Sequence, residues 1–119
     1  MSRRGVVPVL KDVLEAIDRI QRYVGSMTQA EFLQNTEKQD AVVRNLEIIG
    51  EAVRNLPADF KQRHSHVQWA PIAGMRDRLI HQYFGVNWDI LWDVVQDKLP
   101  TLKASVEQIL RSEEGQREL

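Results

Sequence analysis

The stretch at residues 38–57, KQDAVVRNLEIIGEAVRNLP, decides the fold class. Its apolar residues recur every three or four positions, as on one face of an α-helix, and charged residues occupy positions between them. The apolar set is Val42, Leu46, Ile49, Val53 and Leu56, and the charged set is Arg44, Glu47, Glu51 and Arg54. The stretch predicts a long packed helix ended by Pro57. Gly50, in its middle, either permits close approach of another helix or is simply tolerated.

The same helical spacing continues towards the N-terminus. An apolar stripe predicts a first helix that stops near Gly25, a residue suited to the left-handed turn at a helix end. Thr28 and Glu31 have the spacing of a capping box, which predicts a short helix in QAEFLQ. Asn35 or Thr36 can cap the long helix that follows.

Towards the C-terminus, the polar segment 58–68 can hold only a turn or two of helix. WAPIAGMRDRLIHQYFG, residues 69–85, predicts another helix that ends at Gly85. Asn87 is a suitable cap for the last helix, which Pro100 kinks or restarts. Because no stretch alternates as a strand would, the fold class is all-α, a bundle of about four to six helices.

Length and composition favour one globular domain, residues 1–119, with a core at about 8–112 and a frayed tail at 113–119. The chain is 43% hydrophobic and 28% charged and contains no cysteine. A net charge of −1 argues against a DNA-binding domain. No apolar run approaches the roughly 20 residues of a membrane span, and the N-terminus lacks the pattern of a signal peptide. We therefore expect a cytoplasmic protein.

RDRLIHQYFG, residues 76–85, concentrates polar chemistry at the end of the predicted helix. On an ideal helix, Asp77 and His81 are about 40° apart and Arg76 and Tyr83 about 20° apart. A carboxylate one turn before an imidazole can fix its tautomer and favour proton transfer near neutral pH. The same pair is also an ordinary interaction on a helix surface.

MRDRLIHQYF also resembles the signature of HEPN domains, in which an Arg and a polar residue are followed by a His. The His-any-Tyr pattern at His81 and Tyr83 is similar to that of HepT-like toxins. AVVRNLEIIGEAVRNLP, WAPIAGMRDRLIHQYFGV and WDILWDVVQDKLPTL match in the same order, so the resemblance extends from about residue 8 to 112.

The resemblance implies a HEPN helical bundle that dimerises and a metal-independent endoribonuclease. It makes Arg76 and His81 the catalytic pair, Asp77 a supporting polar residue and Tyr83 the AMP acceptor. Arg78 either contacts phosphate or is simply solvated. The family typically has Asn at the position of Asp77, and an added negative charge beside an RNA phosphate can reduce binding.

The resemblance implies three partners. Two of them are an RNA substrate, with transfer RNA expected, and a second copy of the chain. The third is an MNT-type nucleotidyltransferase, the antitoxin of a type VII-like toxin–antitoxin pair. The antitoxin would use ATP and Mg²⁺, whereas this chain needs no cofactor or metal. The alternative function is a non-catalytic helical adaptor that presents a partner nucleotidyltransferase.

Three other groups of side chains have two interpretations each. His64 and His66 could bind zinc with His81, although such loop histidines are more often solvated. Trp69, Trp88 and Trp92 could stack on bases, but at helix starts and helical spacing they favour core or dimer contacts. Arg44 and Arg54 could extend an RNA-binding cleft, whereas pairing with Glu47 and Glu51 is the default. With Phe84, the tryptophans also suggest an apolar patch, which predicts a homodimer with residues 76–83 near its two-fold axis.

Overall fold

Helices account for nearly all of the computed structural model, which describes residues 5–81 and 86–118. Side chains are described at all of these positions except 76, 78–81 and 114–118. The elements are α1 (Val6–Val24), α2 (Gln29–Leu33), α3 (Thr36–Arg54), α4 (Ala58–Arg63), α5 (Trp69–His81), α6 (Trp88–Asp93), a π-helical turn (Val94–Lys98) and α7 (Leu99–Glu118). Because α6, the π turn and α7 follow one another without a break, the described ranges contain six helical segments and no strand. The all-α prediction is confirmed.

Helix α1 ends and helix α2 begins at the capping residues that the sequence predicts. Gly25 follows α1 with a φ of 52°, and its N–H donates to the carbonyl of Gln21 at 2.9 Å. At α2, Thr28 Oγ1 accepts from the Glu31 N–H at 3.1 Å, and Glu31 Oε1 accepts from the Thr28 N–H at 2.9 Å. These reciprocal bonds satisfy two backbone donors. The backbone N–H of Thr28 and, to a smaller extent, its hydroxyl lower the pKa of Glu31, because they stabilise its ionised carboxylate.

Two asparagines cap later helices in the same way. Asn35 Oδ1 accepts from the Lys38 N–H at 3.0 Å at the start of α3. Asn87 Oδ1 accepts from the N–H groups of Asp89 and Ile90 at the start of α6. The prediction for the end of α3 needs a small correction, because the helix ends at Arg54 and Pro57 is already the N-cap of α4.

The π turn ends at Lys98, two residues before Pro100, where the sequence predicts a kink or a restart. Proline has no N–H to donate, and its ring clashes with the carbonyl of the residue four positions earlier. That residue is Gln96, which lies in the middle of the π turn. The wider turn thus accommodates the proline, and α7 restarts at Leu99.

The core forms where α3 packs against α1 and α5 and where α1 packs against α7. Its fully buried large side chains are Phe32, Phe60, Leu10, Ile17, Ile20, Leu46, Ile49, Val13, Val42, Val53 and Val106. Gln39 is also buried, and its amide donates to the carbonyls of Phe32 and Leu33, both at 3.1 Å. The core therefore draws on the apolar stripes that the sequence predicts for α1 and α3.

The C-terminal helix α7 extends to Glu118 and so covers most of the segment 113–119. Fraying of that segment stays a prediction, as does the assignment of residues 1–119 to one domain. No helix among the described residues is both long and apolar enough to cross a lipid bilayer.

Candidate active site on helix α5

Helix α5 carries the polar motif, and its first residue is fixed in the core. Trp69 is buried, and its indole Nε1 donates to the carbonyl of His64 at 3.0 Å. Its ring lies 6.0 Å from the ring of the fully buried Phe60. The buried ring and its hydrogen bond fix where α5 starts, and hence the rotation of every residue along it.

The backbone of α5 is helical from Trp69 to His81, so Arg76 and His81 belong to one continuous helix. The side chains of Arg76, Arg78 and His81 are not among those described, and Tyr83 lies outside the described residues. The catalytic assignment of Arg76 and His81 and the modification of Tyr83 therefore stay predictions.

Asp77 is the one residue of the stretch 76–81 whose side chain the structure describes. Its carboxylate Oδ2 lies 2.9 Å from Nη2 of Arg54, at the last position of α3. The same Nη2 also donates to the carbonyl of Ala73 at 3.4 Å, one turn earlier on α5. The two side chains are 46% and 45% exposed, so the pair joins the two helices at the protein surface.

The pairing of Arg54 with Asp77 differs from the prediction of a partner on its own helix. Residues 54 and 77 are far apart in sequence, and nothing in the spacing of either helix indicates that they meet. The prediction for Arg44 is confirmed, because its Nη1 lies 4.0 Å from Oε2 of Glu47. Arg54 is therefore a residue beside the candidate site whose contact the sequence does not predict.

Gly50 is buried in α3, the helix that packs against both α1 and α5. A side chain at this position would occupy volume inside the packed bundle. Its burial favours the interpretation in which the glycine permits close approach over that of a merely tolerated residue.

His64 is not the solvated histidine that the sequence suggests. Its side chain is 19% exposed, its ring lies 4.7 Å from that of Phe60, and its Nε2 is 3.7 Å from Oε1 of Glu113. The same Glu113 oxygen is 3.8 Å from Nη1 of Arg63. Burial against Phe60 explains the difference, because the loop folds back onto the core. Among the described side chains, no three potential ligands group as a metal site would require.

The tryptophans are core-packing residues, as their spacing favours. The ring centroids of Trp88 and Trp92 lie 6.2 Å and 5.4 Å from that of buried Phe32, and both side chains are half-buried. Trp69 is only 5% exposed, so it does not belong to an exposed apolar patch. The exposed apolar patch predicted for dimerisation therefore does not include Trp69, and Phe84 lies outside the described residues.

A cleft of about 480 Å³ lies between the start of α5, the π turn and the start of α7. Its apolar lining includes Ile72, Met75 and Leu102. Among the described lining residues, Lys98 is the one Lys or Arg, and it lies next to Asp97 in sequence. Phosphate binding calls for several converging cations, so this cleft is a poor candidate for an RNA-binding surface.

The chain is similar to known proteins over most of its length. The family described as "Ribonuclease HepT-like" matches residues 13–109. A candidate RNase from Methanocaldococcus jannaschii is 43% identical over 118 residues, which cover 99% of this chain and 98% of the relative. A candidate RNase from Caldanaerobacter subterraneus subsp. tengcongensis is 43% identical over 106 residues, with 89% and 95% covered.

A candidate ribonuclease HepT from Thermococcus cleftensis is 44% identical over 107 residues, which cover 90% of this chain and 97% of the relative. No solved structure matches the chain.

Proposed function

Because this chain belongs to the HepT-like ribonuclease family, we propose that it is a metal-independent endoribonuclease and the toxin of a type VII-like toxin–antitoxin pair. The observation that carries the proposal is the position of Arg76 and His81 on one uninterrupted helix, in a chain with full-length ribonuclease-named relatives. Its proposed place of action is the cytoplasm, where an RNA substrate, with transfer RNA expected, is within reach.

The proposed reaction breaks the RNA chain through its own 2′-hydroxyl. The 2′-oxygen attacks the adjacent phosphorus, the bond from phosphorus to the 5′-oxygen breaks, and the products end in a 2′,3′-cyclic phosphate and a 5′-hydroxyl. A base removes the 2′-hydroxyl proton, and an acid gives a proton to the leaving 5′-oxygen. Histidine can take either role near neutral pH.

The proposed site is shared by two protomers at a dimer cleft. One copy of His81 acts as base and the other as acid, and Arg76 stabilises charge on the phosphoryl oxygens with its planar guanidinium. Asp77 and Arg78 support this pair. Dimerisation then belongs to the mechanism, because a single helix turns Arg76 and His81 about 140° apart.

Cleavage assays on the purified dimer test the proposal. Arg76→Ala and His81→Ala should each lower kcat at least about 100-fold, the scale expected for loss of acid–base or charge stabilisation. Wild-type cleavage should persist in EDTA, leave 2′,3′-cyclic phosphate ends and depend on pH around roughly 6.5, a histidine pKa. Cleavage that is lost in EDTA and restored by Mg²⁺ would contradict the metal-free mechanism, and dimeric variants with full activity would contradict the residue roles.

A further inference from the structure

The ion pair between Arg54 and Asp77 places a guanidinium beside the proposed active site. Asp77 directly follows Arg76 in α5, and its Oδ2 lies 2.9 Å from Nη2 of Arg54. Arg54 is the last residue of α3, and the same nitrogen reaches the carbonyl of Ala73, one turn before Asp77. Its guanidinium therefore lies along α5 at the level where the polar motif begins.

The charge at this position matters because the proposed substrate is a polyanion. A carboxylate next in sequence to a phosphate-binding arginine repels RNA phosphates, and the repulsion acts over several ångströms at ordinary salt. A guanidinium in contact with that carboxylate cancels most of its charge as seen from a short distance. The pair then presents little net charge to the RNA.

We propose that Arg54 is a positioning residue of the nuclease, which neutralises Asp77 so that RNA can approach Arg76 and which holds α5 against the end of α3. This inference rests on the proposed function. It predicts that Arg54 acts through Asp77, so that removing the carboxylate makes the arginine dispensable.

A double-mutant cycle tests this coupling. The proteins are wild type, Arg54→Gln, Asp77→Asn and the double variant R54Q/D77N. Glutamine keeps much of the arginine stem and removes its charge. The probes are a labelled single-stranded RNA that wild type cleaves, for KM and kcat, and its 2′-O-methyl analogue, for binding by fluorescence anisotropy.

Arg54→Gln should raise KM and weaken binding roughly two- to fivefold, the range for a partly exposed ion pair, with a smaller effect on kcat. The double variant should bind RNA within about twofold of Asp77→Asn, because without the carboxylate the arginine has no negative charge to neutralise. The defect of Arg54→Gln should shrink in 0.5 M salt, because screening weakens the repulsion. Arg54→Lys, which keeps the positive charge, should bind RNA nearly as well as wild type.

The matched control is the exposed pair of Arg22 and Asp18 on α1, whose Nε and Oδ2 atoms are 3.3 Å apart. Arg22→Gln and Asp18→Asn should leave KM unchanged, and thermal unfolding should show that every variant is folded. If Arg54→Gln weakens RNA binding as much in the Asp77→Asn background as in wild type, or if Arg54→Gln has no effect on KM, the inference is wrong while the proposed function stands. If wild type cleaves no RNA, the proposed function fails and the inference fails with it.

Discussion

Tyr83 is the single residue through which the proposed toxin would be silenced. Addition of AMP to its phenol would place bulk and a negative phosphodiester seven residues after Arg76, where it can pair with that cation and repel RNA. Tyr83→Phe should leave cleavage of RNA largely unchanged and remove the acceptor oxygen. Co-expression with the active nucleotidyltransferase should then protect cells less well than it does with wild type.

Mass spectrometry after incubation with the partner, ATP and Mg²⁺ is the direct measurement for this prediction. Wild type should gain mass in steps of AMP, and the phenylalanine variant should gain none. Tyr23→Phe is the matched control, because Tyr23 lies on α1 beside Lys38 and away from the polar motif in sequence. Unchanged AMP addition to the Tyr83 variant would assign the acceptor to another residue.

For individual residues, the sequence predicts contacts within a helix better than contacts between helices. The capping residues Thr28, Asn35 and Asn87 were predictable because each bonds to a backbone group two or three positions away. The partner of Arg54 was not, because it depends on how α3 and α5 rotate and approach each other. The contact of His64 with Glu113 was not predictable either, because Glu113 lies on α7.

Among the elements, the five-residue helix α2 should contribute to stability out of proportion to its length. Its Phe32 is fully buried and packs against Trp88 and Trp92, and its Thr28 cap is complete. Phe32→Ala should lower the free energy of unfolding by about 3 to 5 kcal/mol, since it removes a large side chain from a packed core. Urea denaturation followed by circular dichroism measures the change.

Leu33→Ala is the control for this prediction, because Leu33 is the next residue on α2 and is 38% exposed. A surface substitution of this kind usually changes stability by about 0.5 kcal/mol or less. Equal losses for the two variants would mean that α2 is not held by Phe32.

Element boundaries also mark where sequence patterns stop being informative. The end of α1 at Gly25 and the restart before Pro100 follow from the chemistry of two residues. The π turn at Val94–Lys98 could not be predicted, because the apolar spacing through it is equally compatible with an uninterrupted α-helix. A π turn widens the ladder of hydrogen bonds without a signature in the side chains.

For the whole molecule, the prediction concerns assembly. The proposed composite site needs two copies of Arg76 and His81, so the active species should be a homodimer. Light scattering at micromolar concentration should give twice the chain mass of 13.8 kDa, and the rate per chain should fall on dilution as dimers dissociate. His81→Ala should remain dimeric. A monomer that cleaves RNA at an undiminished rate would contradict the shared site.

The buried start of α5 has a consequence for the history of such chains. Trp69 and Phe60 secure the helix from its first turn, while Asp77 lies partly in solvent further along. Substitutions at exposed positions cost little stability. Lineages can therefore lose the chemistry of this helix through neutral drift while the bundle persists. The gene then encodes a protein that still folds but is inactive. Catalysis in such a family would be expected to disappear long before the architecture does.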